Sequence, residues 1–241
     1  HFNGVCVRFG QAGRDETFTL YRAELVPEFQ LLARKAQSRI FQRINVPDIL
    51  KEVMKGVTVD WKIQGTFEKR DFCVQYRESD FAFASRLMEE EGIRYYFRHS
   101  SGSHQLVVTD DATEHPDLPG ESDVPYEELP PGGEADEARV TFWEKSQEVR
   151  FDTWTLRDHC FELPGQHLEA QERILENVPV GEVTHRLKTV GDALEHYDFP
   201  GGYAQRFDGV DPQGAPQPGE LQKVFPDRDR TARIRIEAEE M

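Results

Sequence analysis

The chain has 241 residues and 27.8 kDa, and 29 Lys+Arg against 45 Asp+Glu leave a net charge of -16 with a sequence pI near 4.9. That length can bury a core in one large domain or in two to three small ones, and the acidity argues against nucleic acid or an anionic membrane surface as a partner. A mean hydropathy of -0.68, with no apolar run near the roughly 20 residues of a bilayer span, excludes a membrane-spanning helix.

The first element predicted is a hairpin. Val5, Val7 and Phe9 alternate onto one face, and a second alternating run at 17–25 follows a glycine-bearing turn at 10–15. The chain enters this strand with no basic n-region or apolar h-region, so no general secretory signal is expected, and earlier strands are expected to be missing from it. Asn45, followed by Val46, Pro47 and Asp48, predicts a helix with a side-chain cap, proline in the first turn and an acid at the third position, running to about Lys55 and ending at Gly56. Residues 61–76 read as extended segments broken at Gly65. Ser79 opens a second helix with Phe81, Ala84, Leu87 and Met88 on one face, and Gly92 stands where a left-handed C-cap belongs. Residues 93–97 and 105–109 flank the turn Ser100-Ser101-Gly102-Ser103 as a second hairpin, expected to pack on that helix.

Between positions 113 and 135 lie five Pro, three Gly and many acids, which predicts a surface connection and a domain boundary. Residues 139–161 are β-branched and aromatic, with Val149, Phe151 and Thr153 alternating against Arg150, Asp152 and Trp154. The β pattern continues at 181–190 and 192–199. A Gly/Pro-rich stretch at 200–226 precedes a helix expected to be capped by Asp227.

Candidate chemistry is sparse. Cys6, Cys73 and Cys160 are odd in number and widely spaced, so no disulfide framework or CxxC site is expected, and a reducing compartment fits them. His99, His104 and His115 lack metal-ligand spacing, although His99 and His104 could face each other across the hairpin. His159 and Cys160 are adjacent and on a strand would point to opposite faces, so they make no dyad. Asp110 and Asp111 end a strand, where carboxylates either serve a metal or simply stop the ladder. Glu89, Glu90 and Glu91 occupy the last turn of a helix, where the macrodipole disfavours anions. They are either a solvated helix end or the mark of a basic neighbour, Arg86 and Arg94 being the local choices. No GxSxG, Walker loop or dinucleotide fingerprint occurs, so neither catalytic residues nor a cofactor or metal is expected.

The run Arg70-Asp71-Phe72-Cys73-Val74-Gln75-Tyr76-Arg77-Glu78-Ser79-Asp80-Phe81, continuing through Arg86, Leu87, Glu90, Glu91 and Gly92 to Tyr96, closely resembles the signature of VgrG proteins, the spike of the bacterial type VI secretion system. Ser38-Arg39-Ile40-Phe41-Gln42, Val46-Pro47-Asp48-Ile49-Leu50 and Tyr197-Asp198-Phe199-Pro200-Gly201-Gly202-Tyr203 agree in order. The resemblance implies an α+β, mostly β fold like the hub of contractile phage tails, with two tail-tube-type β-barrels and a small α/β insert. Residues 1–60 would be a partial first barrel and 61–112 the insert. Residues 113–136 would be the connection, 137–225 the second barrel with extensions, and 226–241 the start of a C-terminal helix. Gln75, Tyr76, Arg77, Glu78, Ser79, Asp80, Phe81, Arg86, Leu87, Glu90, Glu91, Gly92, Tyr96, Tyr197, Pro200, Gly201, Gly202 and Tyr203 would be structural. Tyr76, Phe81, Leu87 and Tyr96 would pack the helix on the hairpin, and at least one of Tyr197 and Tyr203 would be buried at a barrel rim. The implied role is a non-enzymatic trimeric adaptor to a hexameric tube protein, with baseplate components as partners and a tip protein and effectors reached through a C-terminal region. Assembly in the bacterial cytoplasm and delivery by type VI secretion follow from the same resemblance. A hub of a related phage tail or injection particle is the alternative, and an effector enzyme a more distant one.

Overall fold

A computed structural model describes residues 1–111, 124–127, 139–146, 148–180, 183–187 and 194–240. The architecture is mostly β with some helices. Strands β1 (Val5–Arg14) and β2 (Thr19–Val26) form an antiparallel hairpin whose turn is held by the Asp15 carboxylate, which accepts from the amides of Thr17 at 2.8 Å and Phe18 at 2.5 Å. A bulge between Cys6 and Arg8 interrupts the period-two reading. Val5 pairs with Val26 but Phe9 pairs with Ala23, so Val5 and Phe9 fall on opposite faces rather than one. Phe9 stacks on Tyr21 with ring centroids 5.6 Å apart, and both remain exposed.

After a 3-10 helix at Glu28–Arg34, β3 (Ala36–Phe41) pairs antiparallel with β5 (Cys73–Ser79). Between them lie α1 (Val46–Val53) and β4 (Val59–Lys62). Asn45 caps α1 by accepting from the Asp48 amide, and Gly56 turns the chain at φ +100, as its sequence predicts. Helix α2 (Asp80–Glu91) leads to the hairpin β6 (Arg94–Ser100) and β7 (Ser103–Thr109), and β4 adds to β7 in parallel. The backbone neighbours of the helix include the 3-10 helix, α1, β5 and a later helix. Hairpin and helix also share one core, as expected, in which Phe29, Ile49, Phe83, Leu87, Leu106 and Val108 are buried. That core draws on residues from both sides of position 60.

Most of the proline-rich connection, including His115, lies outside the described residues. The long β run expected at 139–161 contracts to β8 (Thr153–Arg157), which is flanked by β9 (Glu169–Arg173) and, in parallel, β12 (Glu195–Asp198). Val149 and Trp143 carry strand-type side chains but are 76% exposed, because β propensity needs a partner strand to act through. Strands β10 (Asn177–Val180) and β11 (Val183–Arg186) make a separate hairpin. Helix α3 (Pro218–Leu221) precedes α4 (Val224–Glu240). Helix α4 starts before Asp227, so Asp227 belongs to its first turn and is not its cap. Pro226 is tolerated in that turn because the amide it lacks has no intrahelical partner there. A second core joins Leu156, Leu168, Tyr203, Phe207, Val224 and Ala232, with α4 packed on β8 and β9. Among the described residues the strands fall into five separate sheets and none closes into a barrel.

Candidate functional site

The residues with the strongest electrostatic organisation lie at the two ends of α2. At its start, the Ser79 hydroxyl accepts from the Ala82 amide at 3.1 Å, and Asp80, although charged, is 3% exposed. The Asp80 carboxylate accepts from Gln75 Nε2 at 2.8 Å, Arg39 Nη2 at 2.7 Å and Gln37 Nε2 at 3.2 Å. Gln75 is itself fully buried and accepts from Arg39 Nε at 2.8 Å. An acid in the first turn complements the helix macrodipole. Arg77 adopts φ +52, and its amide donates to the Ser38 hydroxyl, next to the β3 bulge. Tyr76 is 70% exposed, contrary to the packing role expected for it: Gln75 takes the inward position, so the aromatic ring points out. Phe81 is half-buried against Phe29, Leu87 is buried, and the Tyr96 hydroxyl accepts from Arg98 at 2.9 Å.

At the other end, each of the three glutamates has an arginine. Glu89 pairs with Arg235 at 2.9 Å, Glu90 with Arg70 at 2.6 Å and Arg86 at 3.0 Å, and Glu91 with Arg70 at 2.5 Å and with Arg230. Arg86 also bonds Glu78 at 2.7 Å and so ties the helix back to β5. The basic-neighbour reading of the triplet therefore holds, with Arg86 in the cluster and Arg94 outside it. Gly92 sits at φ +67, and a Cβ there would come 3.3 Å from Ile234 of α4, so the C-cap is also a point of close contact between the two helices. Arg206 extends the cluster: Nη1 donates to Asp227 at 2.9 Å and to the Thr231 hydroxyl at 3.2 Å, Nε donates to the Gly202 carbonyl, and Nη2 stands 3.9 Å from Glu90. Burial opposes the charge on Glu90, but Arg70, Arg206 and Arg86 outweigh it and hold the carboxyl below its usual range. Burial, reinforced by Glu91, pushes Asp227 up despite its Arg206 partner.

The segment at 197–203 is anchored through its last residue. Tyr203 is fully buried and its hydroxyl donates to the Leu168 carbonyl at 2.7 Å, whereas Tyr197 is 51% exposed. The buried Asp158 carboxylate accepts from the amides of Tyr203 and Ala204, both at 3.1 Å. The Phe199-Pro200 bond is cis, Gly201 donates to the Arg157 carbonyl at 2.9 Å, and Gly202 takes φ +74. Arg206, Arg230 and Arg235 are not visible as a group in the sequence, because their partners lie far away in the chain. The acidic triplet at a helix C-terminus was the one signal pointing to them.

His99 and His104 do face each other, with rings 6.0 Å apart, but each accepts a backbone amide: Asn3 on His99 Nδ1 and Glu28 on His104 Nε2. Asp110 accepts from the amides of Gln64 and Gly65 and fixes a loop, His159 is exposed and Cys160 is buried. Among the described residues no group of three His, Cys, Asp or Glu is placed for a metal. The arrangement ties α2 to β5 on one side and to α4 on the other.

The family described as phage tail baseplate hub (GPD) matches residues 1–241. The chain is 34% identical over 213 residues to the type VI secretion system spike protein VgrG1b of Pseudomonas aeruginosa, covering 87% of this chain and 27% of that protein. It is 35% identical over 212 residues to VgrG1a of the same organism, covering 86% and 31%. The chain thus spans about a quarter to a third of the length of these relatives. A solved Escherichia coli component of the type VI secretion system, described as similar to the T4 bacteriophage tail proteins gp27 and gp5, matches at 26% identity and TM-score 0.44 over 47% of this chain and 34% of that one.

Proposed function

The chain belongs to the phage tail baseplate hub (GPD) family, and on that premise we propose that it is the hub portion of a type VI secretion spike, acting as a non-enzymatic adaptor between a trimeric spike and a hexameric tube. The observation that carries this reading is the similarity to type VI spike proteins along 87% of the chain. In this proposal the chain contributes two tail-tube-type barrels, a partial one at 1–60 and one within 137–225, with 61–112 as the insert between them. Two barrels from each of three copies would give a ring of six that a hexameric tube protein can stack on, so that exposed strand edges are paired in the assembly. Baseplate components would hold the ring, a tip protein and effectors would be carried beyond it, and sheath contraction would drive the whole out of the cytoplasm where it assembles. The signature residues act in this reading by holding shape under load, which accounts for buried ion pairs where an enzyme would place reactive groups.

The test is replacement of the matching segment of VgrG1b by this chain in a strain whose secretion depends on that spike. Export of the tube protein to the medium is expected, and its loss with a folded, expressed chimera would overturn the reading. The family description itself favours the second reading, a hub of a phage tail, which would be supported if the chimera fails while the chain co-purifies with a phage tail tube protein.

A further inference from the structure

A groove of about 420 Å³ lies where the two cores meet, between Asp71 and Phe72 at the start of β5 and the segments around Phe161 and Asp208. Its walls are tied together: the Asp71 amide donates to the Arg206 carbonyl at 2.9 Å, Asp71 Oδ2 accepts from the Asp208 amide at 2.7 Å, and Glu162 Oε2 accepts from the Gly209 amide at 3.1 Å. The cleft is therefore preformed, not opened by a partner. Cys160 and Phe207 are buried in its floor, while Phe161 is 80% and Phe72 49% exposed at its rim. Phe72, Val74 and Tyr76 alternate onto the outer face of β5, and Ile40 stands in register with Val74, so an apolar track continues from the groove along the β3–β5 pair. Rings and aliphatics left this bare in a row mark a contact surface.

The charge lining the groove is mostly negative. Asp71, Glu162, Asp208 and Asp211 line the groove against the single cation Arg43, which lies 3.9 Å from Asp71. Asp208 and Asp211 each use Oδ1 to hold the local turn, accepting from Val210 and from Gln213 and Ala215, and neither Oδ2 has a hydrogen bond among the described residues. Three arginines of α4 are already engaged within the chain, Arg228 with Asp229, Arg230 with Glu91 and Arg235 with Glu89.

We infer that this groove docks a cationic, apolar peptide segment of another protein, with its apolar side chains along Phe161, Phe72 and Ile40 and its Lys or Arg groups at Asp208 and Asp211. The site is separate from the adaptor role and stands or falls without it.

The experiment measures fluorescence anisotropy of a labelled Lys-Leu-Arg-Phe-Lys-Leu-Arg peptide titrated with the full chain. Saturable binding is expected, weakened at least fivefold by the double substitution Asp208→Asn, Asp211→Asn, by Phe161→Ser, and by raising salt from about 50 to about 300 mM. A peptide with Glu at every Lys and Arg position is expected not to bind. Asn can still accept the turn amides and Phe161 is 80% exposed, so thermal melts of these variants should match the parent. Equal affinity of parent and variants, or equal affinity for the acidic peptide, overturns the inference. So does sedimentation showing that Phe161→Ser abolishes self-association, which would make the groove a contact between copies.

Discussion

Arg230 Nη2 donates to the backbone carbonyl of Glu91 at 2.8 Å while its other nitrogen pairs with the Glu91 carboxylate, joining the last turn of α2 to a helix 139 residues later. A carbonyl at a helix C-terminus has no intrahelical donor, so this arginine satisfies it and pairs the nearest acid at once. The consequence is that two hydrophobic cores separated by a proline-rich connection are fastened to each other here as well as through Asp71 with Arg206 and Asp208. Arg70 sits at the centre of that fastening, 5% exposed between Glu90 and Glu91.

Replacing Arg70 by Met should therefore destabilise the chain by about 3 to 5 kcal/mol, since two carboxylates are left in a buried place with fewer cations. Urea unfolding measures it, and a loss below about 1 kcal/mol would show that the cluster is solvated and weak.

The same cluster has a pH signature. Glu90 is held below its ordinary value of 4.5, so its contribution is present above that value and is lost as pH falls through the lower folded one. Asp227, pushed above 3.8, works the other way and offsets part of it. Glu90→Gln should be about 2 to 3 kcal/mol less stable than the parent at pH 7, with a smaller gap at acid pH, below 4.5, as the folded carboxyl takes up its proton. A gap that is the same at both pH values would show that the Glu90 charge contributes nothing.

At the 197–203 turn, Tyr203→Phe leaves the Leu168 carbonyl without its donor and should cost about 1 to 3 kcal/mol. Gly201→Val should cost more, because even a Cβ at Gly201 would stand 2.6 Å from the Tyr203 ring. Gly202→Asn should be the mildest of the three, as Asn tolerates the φ of +74 found there. Thermal melts rank them, and an inverted order would mean that the turn rearranges around its tyrosine.

Two signature side chains make a matched pair. Leu87, with no exposed surface, should lose about 2 to 5 kcal/mol on truncation to Ala, whereas Tyr76→Ala, at 70% exposure, should change stability by less than about 0.5 kcal/mol. A large loss at Tyr76 in the isolated chain would mean that its ring is packed in solution.

What could be read from the sequence was what is decided within a few residues. The Asn45 and Ser79 caps, the left-handed Gly92 and the turn between β6 and β7 all depend on near neighbours, and all appear where expected. Pairing between distant strands carries no such local mark. The parallel contacts of β4 with β7 and of β12 with β8 were invisible, and the alternation before Thr153 suggested a strand where no partner stands among the described residues. Tyr76 shows a subtler failure. Its alternation with Gln75 was legible, but hydrophobicity alone assigned the tyrosine inward. The buried acid Asp80 needs Gln75 as a donor, and that requirement reverses the faces. Arg206 and Asp227 lay hidden for the same reason as the strands, being joined only by the fold.

Every residue of the β1–β2 hairpin is exposed or half-buried, and its ladder has no neighbouring strand among the described residues. Its amides should therefore exchange with deuterium through local opening of nearly zero cost, while those of α1 and α2 wait for events close to global unfolding. Any surface that completes the sheet would slow those hairpin amides alone. Their exchange rate is thus a built-in gauge, residue by residue, of whether this chain is free in solution or seated in a larger structure.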